Sequence, residues 1–551
     1  MTRSTSVATG NTPARLDELR ALLDTAAPSQ ARAAVQELLA LYAQGDGGDD
    51  ALRLAVRFCG AADYSDDDLL RLWAALDGDP DGFCADLLAP AYCARKAVKK
   101  LVTLSAPGDG GHALRLAARF THRDEYAVKL LLRLWRTARD PDGFAEHLLA
   151  PAFRRDGLSE LRLADVTSLT GLRHLTMLDR LDIDGCRKTP DFTEIGELTG
   201  LGELSLLRCP IEDLTPIGRL TRLTRLDLRQ CEDFEDIEPL LNLGSLRELD
   251  LRWTRTRSTD GFGRAFPALE SLNLSFCRFL TDVSGLCGLR GLTRLELGPI
   301  DSRELPVPQD LPALAHLRLS GHDPLGDLSP FDAFPSLESL EIDDCEGLTT
   351  VAGLGTGPRL RRLCVDGCHN LRTLEGLGEQ PALRDVRLNG GRRLADLSGL
   401  GGLPALRSLL INGTAIRDLD GLAGSPLTTL SLLYMKELDS LDALQECHGL
   451  KELTLRDCPL AEEIPADSLT SLSLSGAGWK DLSSLARLPH LAELDLNGCR
   501  SLKDLRPLLA MGSLTRVKPP RGFWDSEAPG TREPVLAELE ARGTTIVRSH
   551  A

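Results

Sequence analysis

From Leu158 to about Val517 the chain repeats itself every 22 or 23 residues. Each copy carries a strand core of the form L-x-x-L-x-L. The cores run through Leu161/Leu163, Leu181/Ile183, Leu204/Leu206, Leu226/Leu228, Leu249/Leu251, Leu272/Leu274 and onward to Leu494/Leu496, with a degenerate copy at Leu514 and Val517. That makes about sixteen or seventeen copies, and one step, from Leu453 to Leu472, is only 19 residues. Within x-L-x-L-x the period is two, so both leucines face one side and the x residues the other. The second half of each copy, such as LADLSGLGGLPAL at 394–406, is short and rich in Gly and Pro, which suits a 3₁₀ turn better than an α-helix. One copy cannot bury its own leucines, whereas stacked copies share a continuous core. Leucine supplies 112 of the 551 residues and aromatics only 4%, so that core is aliphatic.

Eight cysteines fall in one register, five residues after the first strand leucine: Cys186, Cys209, Cys231, Cys277, Cys345, Cys368, Cys458 and Cys499. Thr254 and Thr414 fill the same slot. The slot therefore demands a small residue able to satisfy backbone groups where the strand ends, not a thiol as such. Cys364, Cys368 and His369 make a poor zinc set, because Cys364 should face outward and Cys368 inward, and no C-x-x-C occurs. Cys364 is expected as an exposed thiol.

The pattern L-x-x-L-x-L-x-x-C-x-x-L-x-D-L resembles the leucine-rich repeat family over about 360 of the 551 residues. The DLTPI and DLSGL elements at Asp213–Ile217 and Asp396–Leu400 resemble short internalin-type repeats. The resemblance implies an α/β fold class: a curved solenoid whose concave face is a parallel sheet that binds a protein partner. It also implies that the Cys slot points inward.

A second period, of about 62 residues, precedes the solenoid. Residues 31–93 and 94–155 align with Trp73 on Trp135, Phe83 on Phe144 and Pro90 on Pro151. Apolar residues recur at helical spacing, so this is expected to be an all-α duplicated domain of about four short helices per copy, its aromatic residues serving as core anchors. Residues 1–30 read as a partly disordered segment with a helix over 14–24, and 156–517 as the repeats. Residues 518–551 read as a C-terminal cap with a helix at Pro534–Ala541, a strand at Thr544–Val547 and Phe523 and Trp524 over the core. Leu158 and Leu161 are expected to meet the helical domain at the other end. Helical repeats joined to leucine-rich repeats are similar to the sensor half of bacterial NACHT-type proteins, but G-x-x-x-x-G-K-[ST] is absent, so the resemblance implies sensing without an ATPase.

The formal net charge of −17 argues against nucleic acid and anionic membranes as partners. The 54 Arg against 10 Lys resemble the usage of a high-GC bacterial genome. No apolar run is long enough to span a bilayer, and the first thirty residues hold no apolar signal segment, so a cytoplasmic location is expected. G-x-S-x-G and H-E-x-x-H are absent, and the recurring Asp-Leu carboxylates read as turn formers. No catalytic residue, metal or cofactor is expected. The alternative is the substrate receptor of a ligase-like effector with chemistry in the helical domain at Cys59, Cys84 or Cys93. Against it, the second copy has Thr121, Ala145 and Arg154 at those places.

A binding scaffold would use its outward sheet residues. Repeats four to six gather Arg225, Asp227, Arg229, Asp250, Arg252, Trp253, Asn273 and Phe276, types enriched in binding hot spots. The competing readings are that Arg and Asp pair across strands, and that Trp253 and Phe276 tuck under the strand-exit turn. Leu410, Leu433 and Tyr434 form a second candidate patch, and RWTRTRS at 252–258 is locally basic.

Overall fold

The computed structural model describes residues 12–22, 25–44, 111–120 and 128–186, scattered positions between 50 and 105, and 191–547 apart from 301–307, 309, 356–358, 378–379, 460–463, 477–478 and 524–532. The chain divides into two compact units, one of residues 1–203 and 215–220, the other of 204–214 and 221–551.

The first unit opens with helices Thr12–Leu22 and Pro28–Ala43. Ala31, Val35 and Leu38 are buried on one face of the second helix, at the helical period. Arg15 and Glu37 tie the two helices at 2.7 Å. After His112–Phe120 and Val128–Trp135, the chain enters a helical stretch at Pro141, where Asp140 accepts the N–H of Gly143 at 3.0 Å and Trp135 Nε1 donates to the Pro141 carbonyl at 2.9 Å. The middle of this stretch, Ala145–Leu149, widens to a π turn. Pro151 has no N–H and its ring crowds the preceding turn, which the wider turn accommodates. Trp135, Phe144 and Phe153 are buried, as core anchors should be. Their counterparts Trp73, Phe83 and Pro90, and most of the first copy, lie outside the described residues.

This helical stretch caps the first repeat within the same unit. Gly171 has φ +90°, and a Cβ there would stand 2.7 Å from the Pro141 carbonyl oxygen and from Ala145 Cβ, so no other residue fits. Asp142 binds Arg173 at 2.7 Å and His174 at 3.0 Å. Leu161 is buried as expected, but Leu158 is 39% exposed and takes no part in the cap, which is made one helix earlier. Strands Glu160–Val166 and Arg180–Cys186 pair in parallel, Leu161 on Leu181 and Leu163 on Ile183.

Sixteen further strands run from Glu203–Leu207 to Thr545–Ile546. In the second unit they form an open, curved parallel sheet whose register sets leucine on leucine: Leu226, Leu249, Leu272, Leu295, Leu317 and Leu340 stand side by side. Short turns, mostly 3₁₀, return the chain, as at Glu238–Asn242, Ser284–Leu286, Ser398–Leu400 and Ser483–Arg487. The aspartate of each D-L-S or D-V-S element opens its turn. Asp282 accepts the N–H of Ser284 at 2.8 Å and its hydroxyl at 2.6 Å, and Asp327, Asp396 and Asp481 do the same for the serine two residues on. These bonds hold the Asp282 and Asp481 carboxyls below the usual carboxylate range. Among the described residues no helix is long and apolar enough to cross a membrane.

The cysteine register is a ladder of inward donors. Cys231 Sγ donates to the Leu206 carbonyl at 2.8 Å, Cys277 to Leu251 at 3.0 Å, Cys458 to Leu432 at 3.4 Å and Cys499 to Leu474 at 3.2 Å. Each acceptor is the second strand leucine of the preceding repeat. Thr254 donates to Leu251 of its own repeat at 2.8 Å. Burial pushes the Cys277 thiol up and that of Cys499 up to about 12, so both stay protonated as donors. Cys364 is half-buried beside Glu341 and Asp366, and its thiol is pushed up to about 11; the expected exposed thiol is not there, because flanking strands cover it. Among the described residues no cluster suited to a metal ion occurs. Cys231→Val is expected to cost about 1–2 kcal/mol by stranding a buried carbonyl, and Cys231→Thr clearly less. Urea midpoints of the two variants check this, and equal losses would deny the ladder its hydrogen-bonding role.

At the other end, Val535, Leu536 and Leu539 of helix Pro534–Ala541 are buried, and Thr545–Ile546 adds a last strand beside Arg516–Lys518. Phe523 is half-buried, and Trp524 lies outside the described residues.

Candidate partner-binding surface

The outward residues of repeats four and five form two copies of one clamp. In the strand Arg225–Asp227, Asp227 accepts the N–H of Arg229 at 3.1 Å and grips its guanidinium at 2.7–2.9 Å. In Glu248–Asp250, Asp250 holds Arg252 in the same way, at 2.8–3.1 Å. Both follow from D-L-R, since residues two apart on a strand face the same side. Arg229 lies 3.8 Å from Asp250, linking the clamps, and Ser205 donates to Asp227 at 3.1 Å. Arg225 crosses to Glu248 at 2.9 Å. The Asp250 carboxylate raises the Arg252 guanidinium further above its ordinary value. Repeat six replaces the motif with Asn273-Leu-Ser275. Asn273 stands in register with the outward Asp250 and Glu296 and accepts the Ser275 N–H at 2.9 Å as the aspartates do, but it is only 8% exposed and offers a partner little surface.

Trp253 and Phe276 do not tuck under the turn. They are 36% and 38% exposed, with ring centroids 4.3 Å apart and planes within 9° of parallel. Each sits directly past the strand end at positive φ, +59° and +61°. The same position is at positive φ in most repeats, as glycine at 185, 321, 367, 390, 413 and 476 and as Asp165, Arg208, Gln230, Asp344, Tyr434 and Asp457 elsewhere. Glycine pays nothing there, whereas a bulky L residue costs roughly 1–2 kcal/mol. The turn aims the side chain out over the strand-exit edge instead of inward.

Beyond the strand the chain alternates again. Thr254 and Thr256 are buried and hydrogen-bonded to each other at 2.8 Å, while Trp253, Arg255 and Arg257 face outward. The next repeat runs alongside, with Ser258 bridged to Asp282 and Thr281 N–H on the Arg257 carbonyl at 3.1 Å. It contributes Arg278, 5.5 Å over the Trp253 ring, and Phe279, 49% exposed beneath Arg257 at 5.7 Å. Arg255 and Arg257 belong to the basic run 252–258, whereas nothing in the repeat pattern points to Arg278 and Phe279.

The second patch is weaker. Leu410 and Leu433 are half-buried and diagonal across neighbouring strands, and only Tyr434 is well exposed. On the turn side, a groove of about 620 Å³ is lined by Cys447, His448, Ile464, Arg487 and His490. It lies where the 19-residue step leaves no 3₁₀ segment among the described residues.

Parallel strands in leucine register, short return turns and an inward Cys/Thr ladder settle the architecture. The fold is a leucine-rich-repeat solenoid. No protein-family model matches the sequence, and no curated protein matches it. Among solved structures, the chain is similar to an internalin from Listeria monocytogenes, with 18% identity over 71% of this chain and 93% of that one at a TM-score of 0.35. It is also similar to a leucine-rich repeat protein of Leptospira interrogans, with 19% identity over 67% and 95% at 0.41, and to the mouse RP105/MD-1 complex, with 17% over 66% and 69% at 0.46. At these values the likenesses bear on neither partner nor activity.

Proposed function

We propose that this protein is a non-enzymatic interaction scaffold or sensor that holds a protein partner on the outward face of its sheet at repeats four and five. The observation that carries the reading is the pair of linked Asp–Arg clamps, Asp227/Arg229 and Asp250/Arg252, each with bidentate bonds no longer than 3.1 Å. Clamped guanidiniums lose little freedom when a partner docks, and arginine beside exposed tryptophan is the composition of an interface centre. Arg225, Trp253 and Phe276 complete the surface, with the largely covered Asn273 beside Asp250. The helical domain would then transmit or support binding, in keeping with its resemblance to the sensor half of NACHT-type proteins.

Asp250→Asn/Arg252→Gln removes both charges while keeping shape. In affinity capture followed by calorimetry, the double variant is expected to lose at least tenfold in affinity for the captured partner, about 1.4 kcal/mol, with little change in melting temperature. A partner bound equally by both proteins would move the site off this face. Absence of any partner for the native protein would remove the scaffold reading.

A further inference from the structure

We propose that the strand-exit rim of repeats five and six is the recognition element of this scaffold, and that its ligand is a peptide segment bearing carboxylates beside an aromatic or aliphatic side chain. The inference rests on the scaffold reading and deepens it. The sheet face satisfies its own charges: Arg225 pairs with Glu248, Arg229 with Asp227 and Asp250, and Arg252 with Asp250. The rim does so only in part. Arg257 pairs with Glu235 at 3.6 Å, but Arg255 and Arg278 make no ion pair among the described residues, and Arg278 spends its charge on the face of Trp253. The stacked Trp253 and Phe276 rings, with Phe279 beyond them, offer apolar area flanked by these cations. A carboxylate on Arg255 or Arg278 beside a side chain laid on the rings answers both features.

The rim is also built to stay in place. Inward Thr254 and Thr256 bond to each other, and the Ser258–Asp282 bridge joins the two segments. The left-handed turn they occupy recurs through the solenoid, filled by glycine at 185, 321, 367, 390, 413 and 476 and by Asp165, Arg208, Gln230, Asp344, Tyr434 and Asp457, and in repeats five and six it carries two aromatic rings that stack on each other. A long polyanion is disfavoured. Repeat four exposes Glu232, Asp233, Glu235 and Asp236 on the adjoining loop, and the chain as a whole carries −17. Only a short acidic segment avoids that field.

The test selects a random twelve-residue phage-displayed peptide library on the full chain. A synthetic copy of the most enriched peptide is then measured by fluorescence anisotropy on the native protein, on Trp253→Gly and on Arg255→Ala/Arg278→Ala. Glycine at 253 matches the residue that six other repeats carry at positive φ, so the fold is retained, as circular dichroism would verify. The expected result is enrichment of Asp or Glu next to aromatic or aliphatic residues, with binding weakened at least tenfold in both variants. The proposal is overturned by enriched peptides that are basic or neutral, by no enrichment, or by binding that both variants keep. It is equally overturned if a thirty-nucleotide oligo-dT binds and is lost in the same variants, which would assign the rim to nucleic acid. A partner lost with Asp250→Asn/Arg252→Gln but kept by Trp253→Gly would leave the scaffold reading standing and remove this one.

Discussion

Leu249→Asp is expected to unfold repeats four to six while leaving distant repeats protected. Leu249 is 2% exposed and stands in register between Leu226 and Leu272. Removing its side chain from a packed core costs about 2–5 kcal/mol, and burying a carboxylate with no partner adds several more. The sum exceeds what repeats bound only to their neighbours can absorb locally. Hydrogen exchange followed by mass spectrometry should show loss of protection in Arg225–Asp227, Glu248–Asp250 and Ser271–Leu274. Asp250→Asn, one residue along and facing outward, should leave those strands protected. Unchanged exchange in Leu249→Asp would mean that the core is not the shared leucine stack described above.

Acid is expected to weaken the solenoid through a single histidine. His322 occupies the Cys slot of its repeat and is 2% exposed. Its ring is hydrogen-bonded to the Gly298 backbone, Nε2 has no partner among the described residues, and burial pushes the imidazole down to about 4. Between pH 6.5 and 4 the unfolded chain therefore takes up a proton that the folded chain refuses. Stability is full above pH 6.5 and falls as pH drops, by about 1.4 kcal/mol per unit and roughly 3 kcal/mol in all. The turn aspartates Asp282, Asp481 and Asp504 titrate below their usual range, so their losses come at lower pH. His322→Cys restores the ladder residue and should flatten the slope. Urea midpoints from pH 7 to 4.5 compare the two proteins, and parallel slopes would exclude His322 as the cause.

Both expectations draw on positions whose inward orientation is written in the repeat. The odd partner of each L-x-L, the Cys/Thr slot and the D-L-S turn are all set by neighbours within a few residues, and they appear in the structure where the spacing places them. The helix Pro534–Ala541 and the 3₁₀ returns are of the same kind. The functional surface was less readable. Asp227, Arg229, Asp250 and Arg252 read as outward, and each D-L-R pairing is local, but the link from Arg229 to Asp250 depends on which strand end lies beside which. Alternation places Asn273 outward, in register with Asp250 and Glu296, but does not set its 8% exposure, which its neighbours in the fold decide. Cys364 was misjudged for the same reason.

The sequence alone determined the solenoid, its register and the residues that fill its core, because a period-two strand repeated at 22–23 residues leaves the leucines one place to go. Only the tertiary structure decided which outward groups remain available. Trp253 and Phe276 stack, and Arg255 and Arg278 flank them, because a left-handed turn swings each strand exit outward and sets it beside the copy one repeat away. That meeting joins residues more than twenty positions apart, and local alternation carries no information about it.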